Sequence, residues 1–182
     1  MRRRIVLPVD GSTSSEEALQ WAAQNVLREG DVALVVSALP RNKPSVLASG
    51  AFEEDDLSWE EEVRRRKDEC EVGLRDGASL VAGAARRLGA AVRDCGGGDA
   101  IDIKPVVLDA CGTIMTPYGG NTPARTIAQF SECERADVIV LGSRGLGSGG
   151  KMLLGVLGLG SVSDEVSKRA ACPVTIVHPS AK

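Results

Sequence analysis

Four short, predominantly apolar runs separated by segments of helical period constrain this chain more than any other feature of it. Ile5-Val6-Leu7-Pro8-Val9, Val32 to Ala38, Val138 to Leu141 and Val174 to Val177 are too short for helices and lack polar alternation. They read as strands buried on both faces. Between the first two, Leu19, Ala22, Ala23, Val26 and Leu27 recur with helical spacing, behind a Ser14/Glu17 capping box and ahead of Gly30. Trp59 to about Val92 predicts one long helix with Cys70, Leu74, Ala78, Val81, Ala85 and Leu88 on a single face. Its Gly73, Gly77, Gly83 and Gly89 predict weak points where it could break.

A third strand is expected over Ile101 to Leu108, a helix entered at Thr122-Pro123 and running to Arg135, and a last helix capped by Ser161 with Asp164 and stopped by Cys172-Pro173. Strands alternating with helices argue for an α/β fold, an open five-stranded parallel sheet flanked by helices on both faces, Rossmann-like in general plan. At 182 residues one domain is the default. Segments 40–58, 111–121 and 146–159 are read as surface insertions, because they are rich in Gly, Pro, Ser or acidic residues and carry no period.

Composition closes off several functions. The net charge of -3, with both signs mixed along the chain, gives no basic face for a nucleic acid. Aromatic residues at 3% leave few platforms for stacked bases. Cys70, Cys95, Cys111, Cys133 and Cys172 are odd in number and never spaced as CxxC, which argues against disulfides and zinc and for a reducing compartment. Met1-Arg2-Arg3-Arg4 has the charge of a signal peptide but no apolar stretch to follow it, and no run approaches the ~20 residues of a membrane span. The cytosol is the expected address. His178, the single histidine, lies past the last strand with no nucleophile beside it in sequence, so neither a triad nor a metal site is expected.

In open α/β sheets ligands collect at the carboxyl ends of strands where the winding reverses. Two segments reach that edge: Pro8-Val9-Asp10-Gly11-Ser12, and the glycine-rich stretch from Gly142 to Gly160 leading into the helix at Ser161. Glycines let amides approach an anion, and a helix N-terminus adds partial positive charge. Ser161 and Ser163 offer hydroxyls there, and Arg144 and Lys151 offer charge. Gly145 to Gly150 satisfies GxGxxG, but after the fourth strand and without the acidic residue at the next strand end. Gly145 to Lys151 satisfies GxxxxGK, but Met152 stands where a hydroxyl should serve magnesium. Both are read as coincidences.

Val9-Asp10-Gly11-Ser12, then Val140-Leu141-Gly142-Ser143-Arg144-Gly145, then Gly160-Ser161-Val162-Ser163 ahead of Cys172-Pro173-Val174, together resemble the universal stress protein family. The resemblance implies a five-stranded parallel sheet and, in the ATP-binding type, a glycine, two residues, a glycine, nine residues, then a glycine with Ser or Thr. It implies that Pro8, Val9, Asp10, Gly11 and Ser12 meet the nucleoside, with Ala38 near the adenine. Leu141, Gly142, Ser143, Arg144, Gly145, Gly147, Gly160, Ser161, Val162 and Ser163 would then surround the phosphates of ATP, with magnesium carried by those phosphates. Here fourteen residues separate Gly145 from Gly160, a lengthening of five. The alternative register Gly147, Gly150, Gly160, Ser161 fits the pattern literally but moves it off the strand end, and Gly155, nine residues after Gly145, precedes Val156 rather than a hydroxyl.

The functional expectation is an ATP-binding signalling or stress-response module that pairs as a homodimer through its last strand. The other reading keeps the fold without nucleotide, as an interaction module. Beyond Asp10 no base or metal carboxylate is apparent, so at most slow hydrolysis is expected.

Overall fold

The computed structural model describes residues 2–39, 56–96, 100–109, 122–143 and 160–178. Nine elements follow one another along them: β1 (Arg4–Pro8), α1 (Thr13–Asn25), β2 (Val32–Leu39), α2 (Asp56–Asp94), β3 (Asp102–Asp109), α3 (Pro123–Cys133), β4 (Val138–Gly142), α4 (Ser161–Arg169) and β5 (Val174–Val177). The strands form one parallel sheet in the order β3-β2-β1-β4-β5. The chain winds from β1 toward β3, returns, and winds the other way through β4 and β5. The reversal falls between β1 and β4.

Strand alternation divides the core in two. Ile5, Leu7, Ala33, Val35 and Val140 face α1 and α2, where Leu19, Ala22, Val81, Ala84 and Leu88 cover them. Val6, Leu34, Val36, Ile139 and Leu141 face α3 and α4, against Ala124, Ile127, Phe130 and Val166. Burying each such aliphatic side chain stabilises by about 1.5–3 kcal/mol. The central strands are closed to solvent on both faces, which is why their sequences show no polar alternation.

Local details depart from the expected ones. α1 begins at Thr13 under a Ser12 cap, whose side chain accepts the Ser15 N–H, rather than under the Ser14/Glu17 box. It ends at Asn25, and Gly30 belongs to the following turn at φ +87. α2 starts at Asp56, so residues 56–58 of the expected 40–58 insertion are helical, and it runs through its glycines without a break. Two of those glycines explain themselves by contact. A β-carbon on Gly77 would lie 3.1 Å from Leu39 Cδ2 and 3.2 Å from Val107 Cγ1, and one on Gly73 would lie 3.8 Å from Leu39 Cδ1. The helix therefore crosses the carboxyl ends of β2 and β3 near residues 73–77, and its earlier turns project past the sheet. Of the other two expected insertions, 111–121 and 146–159 lie outside the described residues.

The two edges of the sheet differ. β3 carries exposed Lys104 and Pro105, a charge and a residue with no N–H to offer a new neighbour. β5 is four half-buried residues, Val-Thr-Ile-Val, with neither device. Pro173 and Val177 carbonyls accept from Ile139 and Ser143, so by alternation the main-chain groups of Val174 and Ile176 point outward. No helix among the described residues is long and apolar enough to cross a membrane.

Candidate functional site

The site is built at the winding reversal. At the end of β1, Val9 donates its N–H to Val36 and is buried, and the chain then turns sharply. Asp10 Oδ1 accepts the Ser12 N–H at 3.0 Å, and Gly11 adopts φ +80, a conformation that favours glycine. That turn leaves Ser12 extended and ready to cap α1. Asp10 therefore shapes the turn as well as standing at the sheet edge. Ala38 lies one strand over, near the end of β2.

At the end of β4, Leu141 is buried on the α4 side and Gly142 faces α1. A β-carbon on Gly142 would collide with the main chain and hydroxyl of Ser14, so the first turn of α1 rests directly on the β4 tip. Glycine is required here by proximity. Ser143 then ties three elements together. Its N–H donates to Val177 at 2.9 Å, and its carbonyl accepts the Gly160 N–H at 2.7 Å. Ser143 and Gly160, which flank residues 144–159 in sequence, therefore meet at the sheet edge.

α4 opens there without the expected Ser161 cap. Gly160 is the capping residue, at φ -70 and ψ 159, and among the described residues no side-chain cap bonds the first amides. Ser161 sits one place inside the helix and is exposed, as is Val162, while Ser163 is buried and its hydroxyl turns back toward Ser143 and Gly160. Asp164, expected to complete a capping box, instead holds Lys168 at 2.7 Å. The first N–H groups of any helix have no partner within it, so Ser161, Val162 and Ser163 present main-chain donors at this end.

The structure therefore joins Asp10, Gly11, Ser12, Gly142, Ser143 and Gly160 to Ser163 along one stretch of the carboxyl edge. Arg144, Gly145 and Gly147 fall outside the described residues, as does Lys151. Sequence reasoning missed Ser14 as the wall behind Gly142. Its signal was present in the Ser12-Thr13-Ser14-Ser15 run following Asp10-Gly11, which marks a tight strand-to-helix turn but not what lies opposite it. Among the described residues no group of three or more His, Cys, Asp or Glu is placed to hold a metal. A hollow of about 640 Å³ lies along the projecting part of α2, between Glu61 and Asp76. Its described walls all come from that one helix, away from the winding reversal between β1 and β4.

Known proteins share this fold. The model of the universal stress protein family matches residues 1–98 and 117–178. A universal stress protein of Thermus aquaticus, from the QAH/OAS sulfhydrylase 3' region, is 30% identical over 178 residues, spanning 98% of this chain and 100% of the relative. Among solved structures, a universal stress protein in complex with cAMP superposes with a TM-score of 0.57 at 24% identity, covering 98% of both chains. A universal stress protein family protein from Arabidopsis thaliana with AMP bound gives 0.56 at 16% identity, covering 98% of this chain and 93% of that one. The two structures share the fold, while the sequence match takes in both the turn after β1 and the junction of β4 with α4. On that match, this chain belongs to the universal stress protein family.

Proposed function

We propose that this chain binds an adenine nucleotide, ATP foremost, across the carboxyl edge between β1 and β4, and serves as a stress-response or signalling module with little turnover. One observation carries the reading: the N-terminus of α4, with a glycine at its capping position and no side-chain cap among the described residues, is fastened to the β4 tip by the 2.7 Å bond from Gly160 to Ser143. That aims a set of main-chain donors and the positive end of a helix at the place where a phosphate chain would lie. Gly142, packed on Ser14, fixes the first turn of α1 against the β4 tip and so holds the Asp10-Gly11-Ser12 turn beside the start of α4. Relatives of the same fold bound to cAMP and AMP support the ligand class.

The lengthened loop does not stand against this. Because its two ends meet, the sixteen residues from 144 to 159 can vary in number without moving α4. Five extra residues in such a loop cost only about 0.3 kcal/mol of closure entropy. Magnesium would arrive with the phosphates rather than on a protein cluster. The β5 edge is the surface we assign to homodimer pairing, and the cytosol is the setting, where Cys95, Cys133 and Cys172 stay as thiols.

Titration calorimetry with ATP tests the reading, with Gly145→Val and Ser161→Ala compared against the parent chain. Binding weakened in Gly145→Val supports it. A parent chain that takes up no ATP at millimolar concentration rejects it.

A further inference from the structure

Ser163 occupies the third position of α4 and is 3% exposed, although it stands only one residue after the exposed Val162. Its hydroxyl lies 3.0 Å from the Gly160 carbonyl and 3.2 Å from the Ser143 carbonyl. The same Ser143 carbonyl receives the Gly160 N–H. The hydroxyl of Ser143 itself is buried with no hydrogen-bond partner among the described residues, so its main chain makes the tie.

An ordinary helix cap works in the opposite sense. A Ser or Asp at the capping position accepts the N–H of the second or third helical residue, and so removes a donor from the helix end. Here glycine holds the capping position and the third residue supplies the hydroxyl, which donates to carbonyls. The turn is fastened without the Ser163 side chain taking up an N–H of Ser161, Val162 or Ser163. Without that hydroxyl, the glycine junction is held only by the main-chain bonds from Gly160 to Ser143 and from Asp164 to Gly160, and its greater backbone freedom is less restrained.

We propose that Ser163 is a positioning residue for the phosphate end of the nucleotide. It does not touch the ligand; it fixes the depth and angle at which the Ser161 and Val162 amides stand at the β4 tip. The proposal rests on the nucleotide reading above and adds to it a division of labour within α4: Ser161 and Val162 toward the anion, Ser163 toward the sheet.

Calorimetric titration of ATP and of adenosine, which has no phosphate, separates the two claims. Loss of a positioning hydrogen bond worth about 1 kcal/mol lowers ATP affinity in Ser163→Ala by about five-fold, with adenosine affinity unchanged. Ser163→Thr restores ATP affinity, because a helical threonine hydroxyl reaches the same carbonyl one turn back. Should Ser163→Ala fail to fold, Ser163→Cys keeps the volume with a weaker donor and gives the same comparison. ATP binding unaltered in the alanine variant, both ligands weakened alike, or no restoration by threonine overturns the proposal. In those cases a parent chain that still binds ATP leaves the nucleotide reading standing, whereas a parent chain that binds neither ligand rejects both.

Discussion

The main-chain oxygen of Ser14 lies 2.6 Å from the point a β-carbon on Gly142 would occupy, and the Ser14 hydroxyl lies 2.5 Å from it. No side chain of any size fits between α1 and the tip of β4. Gly142→Ala must push the first turn of α1 off the sheet. We expect it to lower stability by about 1–3 kcal/mol in urea unfolding and to weaken ATP binding at the same time. Unchanged stability would mean that the turn has slack the packing does not show.

Asp31 is a second point of tension. It is 4% exposed, and its carboxylate accepts Arg3 Nε at 3.0 Å and the Arg28 N–H at 2.8 Å, while Arg3 also reaches the Val26 carbonyl. Its hydrogen bond to Arg3 is the main reason that guanidinium holds its proton more firmly than usual. Asp31→Ala is expected to cost about 2 kcal/mol in chemical denaturation, and Asp31→Asn less, since an amide oxygen still accepts from Arg28.

Arg3 and Arg4 also show where sequence reading stops. Next to Met1 they look like a charged leader, yet Arg3 is locked to Asp31 and Arg4 pairs with Glu134 while its N–H meets Asp137 at 2.7 Å. Those partners are 28 and more than 100 residues away, and no local pattern encodes them. The strands were legible because apolar runs buried on both faces have few other readings. The caps were not. The run Ser12 to Ser15 offers several capping candidates, and Ser12 prevails because the Asp10 turn and Gly11 at φ +80 leave it extended at the helix start. For Gly73 and Gly77 the sequence shows lost helix propensity, whereas the fold uses the missing β-carbons to admit Leu39 and Val107. The order of Gly142, Gly160 and Ser163 along the edge was readable; the inward turn of the Ser163 hydroxyl was not, because it depends on where Ser143 ends up.

The thiols should react unequally. Burial pushes the Cys172 thiol above its ordinary range, opposed by a main-chain hydrogen bond and aided by the charge of Asp137. Cys95 and Cys133 are exposed. Iodoacetamide at pH 8, followed by peptide mass spectrometry, should label Cys172 several-fold more slowly than those two, with the gap closing as pH rises. Because the fold holds this proton more tightly than the unfolded chain does, the Cys172 contribution to stability is present below the ordinary thiol range. It is lost as pH climbs through the raised value. Equal labelling at pH 8 would show that Cys172 is open to solvent.

Pairing through β5 can be read from mass. The parent chain should sediment as a dimer, and Thr175→Lys, which sets like charges close together across a two-fold pairing of β5 strands, should sediment as a monomer with its nucleotide binding retained. A parent chain of monomer mass, or a variant of dimer mass, would place the contact elsewhere.

The exposed Lys104 and Pro105 on the outer strand then decide how far such assembly can go. Two copies joined at β5 would present only β3 at each end of the combined sheet, a border that discourages further addition. In such a pair growth would stop after one step, and a protein with a bare, largely apolar last strand would avoid becoming the seed of a fibre.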